Sequence, residues 1–337
     1  MNIPSGMLTL DQLRSMFEAG EIDTVLVAIT DMQGRLQGKR CTARFFLDEV
    51  ARHGTEGCNY LMAVDVEMNT VDGFAMSSWE HGYGDLLMRP DMNTLRRIPW
   101  YPATALVLCD AVWLDGSPVL ASPRQILRRQ LERLDDLGYD AYAATELEFQ
   151  LFNNSYEDAS RRGYRHLEAS SQYNIDYSMI GTGRVESLLR DVRNGMAGAG
   201  MYVETAKGEC NLGQHEIGFR YDTALTTCDN HSLYKTGAKE IAARHGKSIS
   251  FADIAAIGYK AMHTSLAGMR ATMIATWDYA VDLKARGAAA EMEFQARLKA
   301  HPMGSFHELA GFGKIKAMEE KYLPADEMQK YEGAVGL

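Results

Sequence analysis

Tyr202 to Tyr221 reads YVETAKGECNLGQHEIGFRY, and residues 145–149 read TELEF. Five carboxylates stand in these two stretches: Glu146, Glu148, Glu204, Glu209 and Glu216. Around Glu146 the residue types alternate. Ala144, Glu146, Glu148 and Gln150 fall on one face of an extended strand, while Leu147, Phe149 and Leu151 fall on the other. Two acids therefore project side by side from a strand whose opposite face is apolar. In the longer stretch, Asn211-Leu212-Gly213 between two β-compatible arms predicts a hairpin turn that brings Glu209 and Glu216 onto neighbouring strands. Acids converging on one site repel each other unless a cation neutralises them or some pKa values rise. An all-oxygen ligand set favours Mg²⁺ or Mn²⁺ over zinc. The plain alternative is that each Glu lies on a solvated strand face. Glu is depleted in strands, yet here it recurs beside Gly208 and Gly213, which permit tight backbone approach. Both readings stay open on spacing alone.

Outward from these stretches, composition bounds the rest. A chain of 337 residues with 46% hydrophobic and 24% charged residues is a globular chain of two or perhaps three domains. A net charge of −10 argues against nucleic-acid and anionic-membrane partners, which need basic patches. No apolar run is long enough to span a bilayer. The opening MNIPSGMLTLDQLRSMFEAG carries acids and lacks a long apolar core, so no secretory signal is expected there. Cysteines 41, 58, 109, 210 and 228 are odd in number and lack C-x-x-C spacing, which fits free thiols in a reducing cytoplasm. Cys210 is expected to be a small buried residue.

Local signals then order the elements. Residues 8–19 read as a short helix, Thr24 to Ile29 as an apolar strand, Asp31 to Gly34 as a turn, and 44–53 as a helix. Leu106 to Cys109 reads as a buried strand. Ser122-Pro123-Arg124 reads as the start of a helix reaching about Leu137. A polar loop at 153–183, with Arg161 and Arg162 and several tyrosines, has the length of functional loops. Residues 184–200 and Asp229 to Gly246 read as helices with apolar stripes, and Lys247 to Phe251 as a strand.

At these residues the chain resembles the glutamine synthetase family, in its γ-glutamyl-amine ligase branch. The family's E-x-E-F motif is matched by Glu146-Leu147-Glu148-Phe149. Its hairpin motif is matched from Val203 through Glu204, Glu209, Gly213 and Gln214 to Glu216. A third motif is matched at Gly82, Asp85, Pro90, Asp91, Thr94, Leu95 and Arg96. The resemblance covers about residues 20–251. It implies an α+β chain with a β-grasp-like N-terminal domain at 1–120 and a partial glutamine-synthetase-type catalytic sheet with helices at 121–251; a helical tail of unrecognised origin at 252–337 lies beyond the resemblance. It also implies that Glu148, Glu209 and Glu216 share one divalent ion (Mg²⁺ or Mn²⁺), that Glu146 holds a second, and that Glu204 lies near the ATP nucleotide. A homo-oligomer is implied too, because in this family the N-terminal domain lends an acid to its neighbour's site. Asp72 is the nearest candidate for that acid.

Beyond residue 251 the family's His-x-His-x-Ser segment and phosphate-binding arginines are not recognisable. Met262, Leu266, Met269, Met273, Trp277 and Val281 recur at helical intervals, predicting helices over 255–286, 288–300 and 305–321. His263 then belongs to an apolar stripe rather than a metal site. The functional expectation is an ATP-dependent carboxylate–amine (γ-glutamyl) ligase, impaired where phosphate- and substrate-binding segments are missing. The alternative is a non-catalytic nucleotide- or metal-binding or assembly protein derived from that family.

Overall fold

The computed structural model describes residues 6–71, 73, 74, 76 and 83–251, together with 285, 286 and 293. The chain divides into two units, Met1–Met262 and His263–Leu337. Apart from residues 285, 286 and 293, the helices predicted within 255–321 lie outside the described residues, as do His263, Gly82 and the candidate acid Asp72.

Helix α1 (Leu10–Glu18) starts on a capping box. The Thr9 hydroxyl accepts from the Gln12 N–H at 3.2 Å, and the Gln12 side chain accepts from the Thr9 N–H at 2.8 Å. The strands that follow are β1 (Thr24–Thr30), β2 (Leu36–Thr42), β3 (Thr55–Cys58), β4 (Asp85–Pro90), β5 (Arg96–Arg97) and β6 (Thr104–Val112). They form one sheet in the order β2-β1-β6-β4-β3, with β5 also on β6. Only the β1–β6 pair is parallel. The β1–β2 turn is fixed by the fully buried Asp31 carboxylate, which accepts from the Gln33 and Arg35 N–H groups, each at 2.9 Å, and from Arg35 Nε at 2.7 Å. The helical segment expected at 44–53 is present from Ala43 to His53, with a π-helical middle at Phe46–Val50 that turns Phe46, Leu47 and Val50 inward.

β6 is an almost unbroken apolar run, TALVLCDAV, because it is buried on both faces. Ala105, Val107, Cys109 and Ala111 pack in one core with Val25, Val27, Leu13 and Phe46. Leu106 and Leu108 pack in a second core with Trp100 just before them and with Leu188, Val192, Leu233 and Ile241 from later in the chain.

The second sheet contains β8 (Glu148–Phe152), β9 (Val203–Gly208), β10 (Gln214–Phe219) and β12 (Ser248–Ser250), in the antiparallel order β12-β8-β10-β9. A separate pair joins β7 (Tyr142–Ala143) to β11 (Asp222–Thr223). Helix α2 (Pro123–Asp136) begins with proline in its first turn as expected. The Ser122 side chain makes no capping bond. The polar stretch 153–183 is not featureless: it holds short helices α3 (Tyr156–Arg161) and α4 (Met179–Gly183). Helix α5 (Glu186–Gly198) buries Leu188, Leu189 and Val192, the stripe its spacing predicts. Helix α6 (Ala224–Arg244) begins earlier than the expected Asp229, because the Thr223 hydroxyl caps it by accepting from the Thr226 N–H at 3.4 Å.

Where α2 and α6 meet the first sheet, one guanidinium bonds three carboxylates. Arg124, near the start of α2, reaches Asp91 at 2.7 Å, Asp110 of β6 at 2.5 Å and Asp229 of α6 at 2.8 Å. Arg128, one turn on, bonds Asp91 at 2.5 Å and Asp110 at 2.9 Å. Burial alone would lower the Arg124 pKa, but its bonds to Asp229 and Asp91 and the charge of Asp110 raise it above the ordinary arginine value. Removing one partner of a buried ion pair leaves uncompensated charge and costs about 3–5 kcal/mol. Arg124→Ala should therefore lower the unfolding free energy by about that amount in denaturant titration. A loss below about 1 kcal/mol, the value of an exposed pair, would show that the network is dispensable.

Candidate metal centre

The site follows from strand register. Turn residues Cys210 to Gly213 close the β9–β10 hairpin, with the Glu209 N–H donating to Gln214 O at 3.0 Å and the Gln214 N–H to Asn211 O at 3.1 Å. Gly213 has φ 71°, and a Cβ there would lie 2.6 Å from the Leu151 carbonyl oxygen, so both conformation and space require glycine. This closure sets Glu216 opposite Lys207 on β9 and, on the other side, opposite Glu148 on β8. Lys207, Glu216 and Glu148 thus form a row across three strands on one face. On the opposite face Phe149, Leu151, His215 and Ile217 are fully buried beneath the helices.

Oxygen atoms of Glu148, Glu209 and Glu216 all lie within 4.8 Å of one another. The carboxylates of Glu209 and Glu216 stand side by side within that distance, and Gln214 Nε2 donates to Glu148 Oε2. Burial, and then the contact with and charge of Glu209, raise the Glu216 pKa above the usual carboxylate value. Lys207 only partly offsets this. Its ammonium contacts Glu209 Oε1 and lies 3.5 Å from Glu216 Oε2. Three half-buried to buried oxygen donors with too little positive charge among them fit a hard divalent cation. The donor set contains no nitrogen or sulfur that would favour zinc.

The other expected residues are placed differently. Glu146 is exposed and precedes β8, and it is not among the acids gathered within 4.8 Å. The alternation around it is broken because Tyr142–Ala143 leaves to pair with β11, and pairing with β10 begins only at Glu148. Glu204 lies exposed on β9. Cys210 is exposed, not buried: it sits in the hairpin turn, with Sγ 3.4 Å from Asp176 Oδ2. Arg161 and Arg162 pair locally with Asp158, at 3.7 Å and 2.8 Å. Spacing did not single out Lys207, Gln214 or Tyr177. The signal for the first was present, since a turn closing Glu209 against Gln214 puts Lys207 opposite Glu216. Tyr177 comes from a loop, and no pairing rule would place it.

A hairpin-borne acid cluster on an antiparallel sheet, backed by two helices, defines a candidate divalent-cation site. Residues 120–276 match the glutamine synthetase catalytic-domain family. The matched stretch runs past residue 251, where the recognisable motifs end, and takes in Met262 to Leu266, which lies outside the described residues. The chain is 65% identical over 244 residues to the γ-glutamylethanolamide synthetase of Streptomyces coelicolor, covering 72% of this chain and 53% of that protein. It is 38% identical over 240 residues to a glutamate–isopropylamine ligase of Pseudomonas sp, covering 71% and 52%. The chain thus spans about half the length of these curated relatives. The structure of GmaS without ligand superposes with a TM-score of 0.58 at 24% identity, over 72% of this chain and 52% of that one. GmaS complexed with ADP gives 0.57 at 23% identity, over 71% and 51%. At such identities the likeness shows the fold. Among the described residues no helix is long and apolar enough to cross a membrane.

Directly behind the acid row, His215 is fully buried against Phe149, their ring centroids 5.8 Å apart, and neither ring nitrogen has a hydrogen-bond partner among the described residues. Burial lowers its pKa to about 4. The folded pKa lies below the unfolded value, so the fold excludes the protonated form. Stability is therefore intact above about pH 6.5 and declines as pH falls from there toward 4, by roughly 3 kcal/mol from this residue. His215→Leu should flatten that acid limb in denaturant titrations between pH 7 and 4 while matching or exceeding wild-type stability at pH 7. An unchanged acid limb would contradict it.

Proposed function

We propose that this chain is a glutamine-synthetase-like, ATP-dependent ligase that joins a side-chain carboxylate of a glutamate-type acid to ammonia or a small amine. The observation that carries this reading is the clustering of Glu148, Glu209 and Glu216 within 4.8 Å inside a matched catalytic domain. The relatives that act on ethanolamine and isopropylamine, as their names state, support an amine over ammonia. We assign Glu148, Glu209 and Glu216 to one Mg²⁺ or Mn²⁺ ion, exposed Glu146 to a second, and Glu204 to the nucleotide. A divalent ion there would supply charge neutralisation for ATP phosphates and the transferred oxygen. The protein's own part is to hold the acid row rigid. The β8–β10–β9 register fixes the spacing, and the buried Phe149, Leu151 and Ile217 behind it keep the strands from slipping.

The remaining assignments rest on the same reading. The first sheet serves as a β-grasp domain at 1–120, and the second belongs to the catalytic domain at 121–251. Homo-oligomerisation would complete sites between neighbours. Five free cysteines suit a reducing cytoplasm.

Activity of this chain alone is expected to be weak. ATP phosphates and an acidic substrate bring about five negative charges to a site already holding several carboxylates, and two divalent ions return only about four positive charges. Loss of one positioned transition-state arginine can cost roughly 10³–10⁵ in rate, and Arg161 and Arg162 are paired with Asp158 instead. ADP release with ATP, Mg²⁺, glutamate and a panel of amines should stay well below about 1 s⁻¹. Amine-dependent turnover at or above that rate would refute the impairment.

Metal binding has its own test. Ligand binding to the folded state alone raises stability, by about 2.7 kcal/mol at a hundredfold excess over Kd. Millimolar Mn²⁺ should raise the melting temperature of the wild-type chain and leave Glu209→Ala and Glu216→Ala unmoved. An equal rise in those variants would place the ion elsewhere.

A further inference from the structure

We propose that the Lys207 ammonium is a built-in counter-ion at the Glu209–Glu216 pair, and that a divalent ion binds there only by displacing it. This rests on the metal reading of the same acids but concerns a residue outside the ligand set.

Three independent features put the ammonium where it is. The hairpin register sets Lys207 directly across from Glu216. Its Nζ contacts Glu209 Oε1 and stands 3.5 Å from Glu216 Oε2, so one amine bridges both acids. On its other side it lies 4.6 Å from the centroid of the Tyr177 ring, within cation–π range. That ring is held deliberately. Tyr177 has φ 52°, a left-handed conformation that is unfavourable for a residue with a side chain. Its N–H donates to Gly208 O at 3.3 Å. The loop can come this close only because residue 208 is glycine, where a Cβ would lie 2.2 Å from the Ile175 carbonyl oxygen. A strained backbone and a close approach thus converge on seating one aromatic face over one amine.

The chemistry of exchange follows from charge. A single positive charge against at least two carboxylates leaves the cluster under-neutralised. A divalent ion would balance the pair better but is repelled by the ammonium at the same position. The two cations therefore exclude each other. Lysine suits this role: its charge is a point on a flexible four-carbon stem, and its side chain is 26% exposed, so it has a route to solvent. Without metal, Lys207 keeps the acids from repelling the hairpin apart. With metal, it withdraws, and the ion's affinity is reduced by the work of displacing it.

The test is Mn²⁺ binding to the full chain, read as free-ion signal by electron paramagnetic resonance. Lys207→Gln should bind Mn²⁺ about tenfold more tightly than wild type. Lys207→Arg, which keeps the charge, should stay within about threefold of wild type. Tyr177→Leu removes only the exposed ring and should shift affinity in the same direction as Lys207→Gln, by a smaller factor. Without metal, Lys207→Gln should melt below wild type, and Mn²⁺ should raise its melting temperature by more than it raises the wild type's. Equal or weaker Mn²⁺ binding by Lys207→Gln overturns the inference while wild-type binding leaves the metal reading intact. If that variant folds only with metal present, Tyr177→Leu decides, and unchanged affinity in it is the overturning result. No Mn²⁺ binding in wild type or any variant overturns both.

Discussion

The Arg124 guanidinium is bonded to carboxylates from three separate parts of the chain: Asp91 after β4, Asp110 on β6 and Asp229 on α6. Each carboxylate alone would be a buried charge of several kcal/mol penalty, and the arginine alone would be another. Together they are tolerable, and only when all four elements stand in one arrangement. That arrangement locks α2 and α6 against the first sheet. α6 in turn supplies Leu233, Tyr234, Ala238 and Ile241 to the core behind β8 and β10. The acid row therefore inherits its rigidity from an ionic junction on the far side of that core.

Burial and charge work against each other across the second sheet, and the sheet resolves the conflict by its two-residue period. One face of β8 and β10 carries Phe149, Leu151, His215 and Ile217 into the core. The other carries Glu148, Gln150, Gln214 and Glu216 toward the open side. A slip of one residue in β8 would bury Glu148 and Gln150 and expose Phe149 and Leu151, so packing defends the register that gathers the acids. His215 is the exception on the apolar face. It has the position of a hydrophobe and the chemistry of a base, with no partner for either nitrogen among the described residues.

What could be read from the sequence was governed by distance along the chain. The alternation of 148–152, the Asn211-Leu212-Gly213 turn, the stripe Leu188-Leu189-Val192 and the apolar run of β6 are local patterns, and each formed as its periodicity required. The convergence of Glu209 and Glu216 followed, because a hairpin converts local spacing into proximity. Glu146 stands apart from the acid row because the alternation continues past β8 but the strand does not: the preceding residues pair with β11, and pairing with β10 begins only at Glu148. Cys210 looked like a small core residue until the turn set it facing Asp176 at the surface. The Arg124 junction joins residues up to 105 positions apart, and no window of sequence contains it. Tyr177 likewise reaches Lys207 from a loop whose path only the packed structure determines.

The two-faced burial of β6 has a consequence for how the protein emerges from the ribosome. Its first face can be covered as soon as β1, α1 and the Ala43–His53 helical segment are present, all made before it. Its second face waits for Leu188, Val192, Leu233 and Ile241. At synthesis rates of about 5–20 residues per second, the interval between Leu106 and Ile241 is roughly 7–27 s. For that time the nascent chain carries a half-finished sheet with Leu106, Leu108, Ala28 and Trp100 uncovered, a stretch of apolar strand of the kind that pairs with other chains. The same strand that makes the finished unit cohere is thus its point of greatest exposure during synthesis, and the growing polypeptide would need chaperone cover there.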